Sequence, residues 1–308
     1  MKWIAVFPGQ GSQHVGMGKD LSACEELWAE LDRETQLPIS STMFHGPSES
    51  LTKTSMAQPA IMAVSFALFQ ALRQRNWPLP IAYAGHSLGE YSALCAAGAL
   101  TFAQTARLLK ARGQGMESVP IDDGAMGVIL NMPYATVADL AKESSCFVAN
   151  DNSLTQVVIS GRQDSVDECL KKAKDLKAKT RKLDVSGPFH SPLMERAATI
   201  FQPILDSTEL QAPHAPLVTN ISAQGQIDPW TIKKHLLDNI TSTVRWTETM
   251  EHLISLNPDA IIDIGPGSVL AGLLKRTSFS GKILSVSCQQ DVDSLQELLT
   301  TSDFAQAS

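Results

Sequence analysis

The sequence has five cysteines, at Cys24, Cys95, Cys146, Cys169 and Cys288, and no C-x-x-C pair among them. Their odd number and wide spacing suggest neither a disulfide framework nor a cysteine zinc site, and read as reduced thiols in a cytoplasmic protein. The seven histidines show no H-x-x-x-H and no His-Cys cluster, so no metal is expected. Basic charge is also short. Against 32 Asp and Glu stand 25 Lys and Arg, a net −7 that lacks the footprint of a nucleic-acid binder. An acidic partner would need a local basic patch. No run is long enough to span a membrane: the most apolar stretch, Ile61 to Leu72, is short and carries Ser65 and Gln70. The apolar start, Met1 to Phe7, reaches Pro8-Gly9 too soon for a secretory leader. Gly9-Gln10-Gly11 lacks the third glycine of a dinucleotide loop, His14 standing in its place, which argues against a nicotinamide cofactor.

What is present is ordinary globular composition, 44% hydrophobic and 19% charged. At roughly 150 residues per domain, the length suits two domains or one large domain with an insertion. Trp3–Phe7, Ile81–Ala84, Ala260–Ile264 and Lys282–Ser287 read as buried strands. Helical spacing runs over Met56–Leu72, Glu90–Leu100, Thr101–Met116 and Val269–Lys275. Strands alternating with helices predict an α/β protein with a mainly parallel sheet covered on both faces. Between residues 124 and 185 the rhythm changes. Strands at Ala125–Leu130, Cys146–Ala149, Gln156–Ser160 and Thr180–Val185 enclose helices at Ala135–Lys142 and Asp164–Leu176, with a polar turn at Asn150-Asp151-Asn152-Ser153. That β-α-β-β-α-β order predicts a ferredoxin-like small domain, 124–186, inserted in a large domain formed by 1–123 and 187–308. The small, polar tail from Thr300 to Ser308 is expected to fray.

Gly85-His86-Ser87-Leu88-Gly89, between a strand and a helix, has the form of a nucleophile elbow that lifts Ser87 out of the sheet. The following helix offers its N-terminal N–H groups and dipole to a developing oxyanion. His86 neighbours the nucleophile but points elsewhere, and is read as structural. A serine needs a base. His190 stands in the Gly/Pro-fixed loop Ser186-Gly187-Pro188-Phe189-His190-Ser191-Pro192, where the chain returns to the large domain. Spacing alone leaves it open as a hydrogen-bonded loop histidine. Arg112, taken alone, reads as a solvated helix residue like Arg107 and Lys110. The basic run Lys171, Lys172, Lys174, Lys177, Lys179, Arg181 and Lys182 could receive an acidic partner or be a solvated face.

Phe7-Pro8-Gly9-Gln10-Gly11-Ser12-Gln13, Gly85-His86-Ser87-Leu88-Gly89-Glu90, Arg112-Gly113-Gln114 and Gly187-Pro188-Phe189-His190-Ser191 resemble the signatures of malonyl-CoA:acyl carrier protein transacylases. Gln58-Pro59-Ala60, Val244-Arg245-Trp246 and Gly265-Pro266-Gly267 add matches in the same order, over nearly the whole chain. The resemblance implies an α/β-hydrolase-like large domain with a ferredoxin-like insertion. It also implies roles: Ser87 as nucleophile, His190 as general base and then acid, and Gln10 and Leu88 backbone N–H groups as oxyanion hole. Asn239 would orient His190 through its main-chain carbonyl, in a Ser-His dyad with no acidic member, and Arg112 would clamp the malonyl carboxylate with its guanidinium fork.

The implied reaction is ping-pong transfer of malonyl from coenzyme A to the phosphopantetheine thiol of an acyl carrier protein, in fatty-acid or polyketide synthesis. No cofactor is expected, since the coenzyme A thioester is a substrate. Malonyl-CoA and the carrier are the expected partners, without nucleic acid or membrane, and a monomer is compatible with all of this. Three rivals share the sequence: a discrete acyltransferase serving a polyketide synthase in trans, an acyl-thioester hydrolase, and a non-catalytic carrier-docking protein. Arg112 argues against the second and the intact Ser87/His190 pair against the third. The chain departs from the family pattern at Leu154-Thr155, where Pro-Gly is frequent, and at Thr243, where proline is usual. Both departures fall in expected turns.

Overall fold

The computed structural model describes residues 1–119, 123–185 and 187–300. Ser186 of the His190 loop, residues 120–122 just before the expected domain boundary, and the tail 301–308 expected to fray lie outside the described residues.

Strand β1 (Trp3–Phe7) is wholly buried, as a run of apolar side chains on both faces requires. Helices α1 (Glu25–Thr35), α2 (Ile39–His45), α3 (Ser48–Leu51) and α4 (Thr54–Gln74) follow. At 21 residues α4 outruns the Ile61–Leu72 stretch and is long and apolar enough to cross a bilayer, but 83% of its apolar window is buried inside the protein. After β2 (Ala82–Gly85) come α5 (Gly89–Ala96) and α6 (Phe102–Glu117). Helix α5 stops short of the predicted Leu100 because Gly98 turns the chain at φ +72°. Thr101 then opens α6 with a reciprocal capping box to Gln104.

Strand β3 (Gly124–Leu130), α7 (Tyr134–Glu143), β4 (Phe147–Ser153), β5 (Gln156–Arg162), α8 (Gln163–Asp175) and β6 (Lys179–Lys182) keep the expected order. Two predictions are corrected. Asn150 to Ser153 is no turn but the second half of β4, and the chain reverses at Leu154-Thr155. Pairing on both edges holds these polar residues extended: β5 lies on one side, with register shifts, and a later strand on the other. The last strand ends at Lys182 rather than Val185, its backbone pairing closing with Leu183 N–H to Met126 O at 2.9 Å.

The chain continues through α9 (Glu195–Ser207), β7 (Leu217–Val218), β8 (Gly225–Gln226), α10 (Pro229–Asp238), β9 (Val244–Arg245) and α11 (Trp246–Ser255). It closes with β10 (Ala260–Ile264), α12 (Val269–Leu274), β11 (Lys282–Val286) and α13 (Gln289–Thr300). The result is a mixed α/β protein with two sheets. One sheet runs β11-β10-β1-β2-β7-β8, parallel except at the β7–β8 pair. The other runs β6-β3-β5-β4-β9. In it β9, from outside residues 124–186, pairs parallel with β4 as Asn150↔Val244 and Asp151↔Arg245. Thr243, at the departure from the family pattern, donates its hydroxyl to Val148 O at 2.6 Å and so fastens this crossing. Ala125, Ile129, Val137, Ile159, Val166 and Cys169 form part of an apolar cluster separate from the large sheet's core.

Candidate active site

In the parallel sheet Phe7 is in register with Gly85, so the loops that leave β1 and β2 emerge side by side at the strands' carboxyl ends. Such sheets bind ligands at that edge. The first loop supplies Gln10 and the second Ser87. Their junction is possible only without side chains. A Cβ on Gly85 would stand 1.9 Å from the Gly89 carbonyl carbon, and one on Gly89 would stand 2.2 Å from Phe7 O. Ser87 itself adopts φ +54°, an uncommon conformation for a residue with a β-carbon, and α5 starts two residues later. This is the strand–turn–helix context that the elbow sequence predicted.

His190 reaches the serine from the loop after the second sheet. Its Nε2 lies 2.8 Å from Ser87 Oγ, and its Nδ1 lies 2.7 Å from Asn239 O. A carbonyl can only accept, so the proton resides on Nδ1 and Nε2 is left to accept from the serine hydroxyl. Both side chains are buried, Ser87 at 9% and His190 at 6% exposure. Burial, and then the adjacent Arg112 cation, push the His190 imidazole down to about 3. At neutral pH it is therefore an uncharged acceptor.

Arg112 is not the solvated helix residue that its neighbours suggest. Arg107 pairs with Glu34 at the surface, whereas Arg112 is fully buried. Its Nη2 donates to Ser87 Oγ and to Asn239 Oδ1, each at 3.2 Å, and its Cζ stands 5.7 Å from the Tyr91 ring centroid. Its Nε and Nη1 lack well-formed hydrogen-bond partners among the described residues. Buried N–H groups left under-satisfied in this way are costly, and a carboxylate is the partner that would complete them.

Ser87 and His190 face a cavity of about 320 Å³ that is also lined by Gln10, Gln58, Asn150 and Arg181. Gln58 Oε1 has no hydrogen-bond partner among the described residues. Arg112 does not line this cavity; it meets Ser87 from within the core. Leu88, fully buried, precedes α5 directly. Thus Ser87, His190, Arg112, Asn239 and Gln10 come together, with Leu88 adjoining. His86 turns away from the serine hydroxyl: its Nε2 is 2.8 Å from Asn152 Oδ1, and its ring packs on Trp246. No group of metal-capable side chains gathers among the described residues.

Sequence reasoning missed two members. Asn220, fully buried after β7, hydrogen-bonds the Ser87 backbone, and buried Glu90 accepts from the Asn220 N–H. Burial pushes the Glu90 carboxyl up to about 8, against opposing pulls from Asn220 and Arg112. Glu90 at least closes the elbow motif, while a lone asparagine after a two-residue strand carried no signal. In the basic run, Lys172 pairs with Glu168 and Glu143 and Lys182 with Asp167. Lys171, Lys174, Lys177 and Lys179 make no ion pair among the described residues, and Arg181 reaches the cavity.

The family model described as an acyl transferase domain matches residues 4–302. The malonyl CoA-acyl carrier protein transacylase of Bacillus subtilis (strain 168) is 39% identical over 312 aligned positions, 97% of this chain and 98% of the relative. An acyl-carrier-protein-S-malonyltransferase crystal structure from Bartonella henselae superposes with a TM-score of 0.94 at 36% identity, covering 98% of this chain and all (100%) of that one. A malonyl-transacylase solved in complex with a holo type II PKS acyl-carrier protein gives 0.93 at 34% identity, covering 97% and 100%.

Proposed function

Because this chain belongs to the acyl transferase domain family, we propose that it moves a malonyl group from malonyl-CoA to the phosphopantetheine thiol of an acyl carrier protein, by way of an ester on Ser87. One observation carries the reading. The Ser87 hydroxyl lies between a neutral imidazole at 2.8 Å and a buried guanidinium at 3.2 Å whose Nε and Nη1 lack well-formed partners among the described residues. The first is what a nucleophile needs, and the second is what a carboxylated acyl group needs.

In the first half-reaction His190 Nε2 takes the Ser87 proton while Nδ1–H remains on Asn239 O. Serine oxygen attacks the thioester carbon, and backbone N–H groups of Leu88 and Gln10 receive the developing oxyanion. Collapse breaks the C–S bond, and His190 returns its proton to the departing thiolate. In the second half the carrier thiol gives its proton to His190 and attacks the malonyl ester; collapse breaks the C–O bond, and His190 returns the proton to Ser87 Oγ. Exchange between two thioesters is a transfer between equals and calls for no redox or metal chemistry. Arg112 would hold the malonyl carboxylate beside Ser87 in both halves.

The finer architecture belongs to the same reading: an α/β-hydrolase-like large domain, 1–123 and 187–308, and an inserted ferredoxin-like small domain, 124–186. It is supported by the strand order β6-β3-β5-β4 and the separate apolar cluster. All the site residues come from one chain, so a monomer suffices, and a cytoplasmic location suits its free thiols. A second reading, the same chemistry for a polyketide carrier, is favoured by the likeness to the PKS-complex transacylase.

The test offers malonyl-CoA, acetyl-CoA and methylmalonyl-CoA with fatty-acid and polyketide carriers, and follows acyl-Ser87 by mass spectrometry. A malonyl adduct on Ser87, absent from Ser87→Ala and discharged by a holo carrier, is expected. An adduct that persists in Ser87→Ala would refute the assignment.

A further inference from the structure

We propose that Asn220 is the positioning residue of the elbow, a single side-chain amide that fixes the Ser87 backbone and Asn239 together, with Glu90 as its anchor. The proposal rests on the reading of Ser87 as nucleophile. Strand β7 runs parallel to β2 with Ala84 opposite Val218, so the chain beyond β7 lies along the turn that carries Ser87. There the Asn220 Oδ1 accepts the Ser87 N–H at 2.8 Å, and its Nδ2 donates to Gly85 O at 2.8 Å. The amide thus spans His86 and ties the end of β2 to the nucleophile. Its orientation is set by chemistry, because a backbone N–H can only donate and a carbonyl can only accept.

The same Oδ1 accepts from Asn239 Nδ2 at 3.3 Å. Asn239 in turn presents its carbonyl to His190 and its Oδ1 to Arg112. One oxygen therefore registers the nucleophile's backbone against the residue that orients the base. Asn220 is held by its own N–H, which donates to Glu90 Oε1 at 2.8 Å from the first turn of α5. Ser87 sits at φ +54°, where a residue with a β-carbon persists only if its surroundings over-determine it, and these bonds do so. All of the partners are buried, where a lost hydrogen bond is costly.

The test compares Asn220→Ala and Asn220→Asp with the native enzyme. Ionised aspartate keeps an acceptor for the Ser87 N–H but cannot donate to Gly85 O, so the comparison is made on the alkaline side of the pH profile, where the carboxyl is ionised. Two reactions are timed: malonylation by malonyl-CoA, and phosphonylation of Ser87 by a fluorophosphonate, which needs no acyl recognition. Burst amplitude gives the fraction of competent sites and the rate constant gives their reactivity.

Asn220→Ala is expected to lower both rate constants about 10²-fold, the cost of a misplaced reacting group, with KM for malonyl-CoA little changed. Asn220→Asp should fall between Ala and native. A loss confined to burst amplitude would make Asn220 merely structural and overturn the proposal. If Asn220→Ala does not fold, Asn220→Asp decides: a native rate constant refutes the bridge and a lowered one supports it. Native enzyme that is phosphonylated but never malonylated would sink the malonyl reading, while the phosphonylation series still judged Asn220.

Discussion

Arg112→Ala separates recognition from chemistry. The native guanidinium is fully buried, touches Ser87 Oγ at 3.2 Å, and has no well-formed partner for Nε and Nη1 among the described residues. A malonyl ester on Ser87 carries its carboxylate only a few bonds from that oxygen. Removing one member of a desolvated charge pair costs roughly 2–5 kcal/mol, a factor of about 30 to several thousand. Two side effects are smaller. Glu90 is not stranded as an anion, because with its carboxyl pushed up to about 8 it is mostly protonated at neutral pH. Loss of the Nη2 bond to Ser87 affects every acyl donor alike and cancels in a ratio. The expected outcome is therefore a malonyl-over-acetyl acylation ratio lowered at least about 30-fold. Lysine at this position should restore part of it, keeping the charge without the fork. Stopped-flow acylation with both thioesters measures the ratio. Equal losses for the two would refute the clamp and make Arg112 a structural residue.

His190→Ala should slow acylation by roughly 10²–10⁴-fold with the fold retained, measured as the burst rate. Because the imidazole is pushed down to about 3, its basic form persists as pH falls, and the native acylation profile should show no limb near the ordinary histidine value. Removing the Arg112 cation should move that limb upward. The stability sign follows: the His190 contribution is complete above the unfolded pKa and is lost as pH falls toward the folded value, which urea titrations across that window would detect. Reversing Lys171, Lys174 and Lys177 to glutamate should raise carrier KM at low ionic strength and leave malonyl-CoA acylation alone; an unchanged KM would return these lysines to a solvated face. Gly85→Ala, whose new Cβ would meet backbone at 1.9 Å, should cost at least about 1–3 kcal/mol in thermal melts and disable the elbow.

The sequence alone determined whatever depends on local spacing. The elbow was legible because strand, glycine pair and helix are contiguous, and the β-α-β-β-α-β run because each element has its own period. The seven ordered motifs carried Ser87, His190 and Arg112. Only tertiary structure decided the rest, for reasons of distance along the chain. Helices α1, α9, α10 and α11 went unassigned although apolar residues recur in them at helical spacing, as Trp28 and Leu31 in α1 and Ala197, Phe201 and Leu205 in α9 do. The turn expected at Asn150 to Ser153 became strand because β9, some ninety residues on, supplies its second edge. Arg112 and Arg107 occupy one helix, and only the packing of α6 buries the first and leaves the second at the surface. Asn220 has no local signature at all. Its place beside Ser87 exists only because β7 lies parallel to β2, and a hydrogen bond between residues so far apart is a property of the folded sheet.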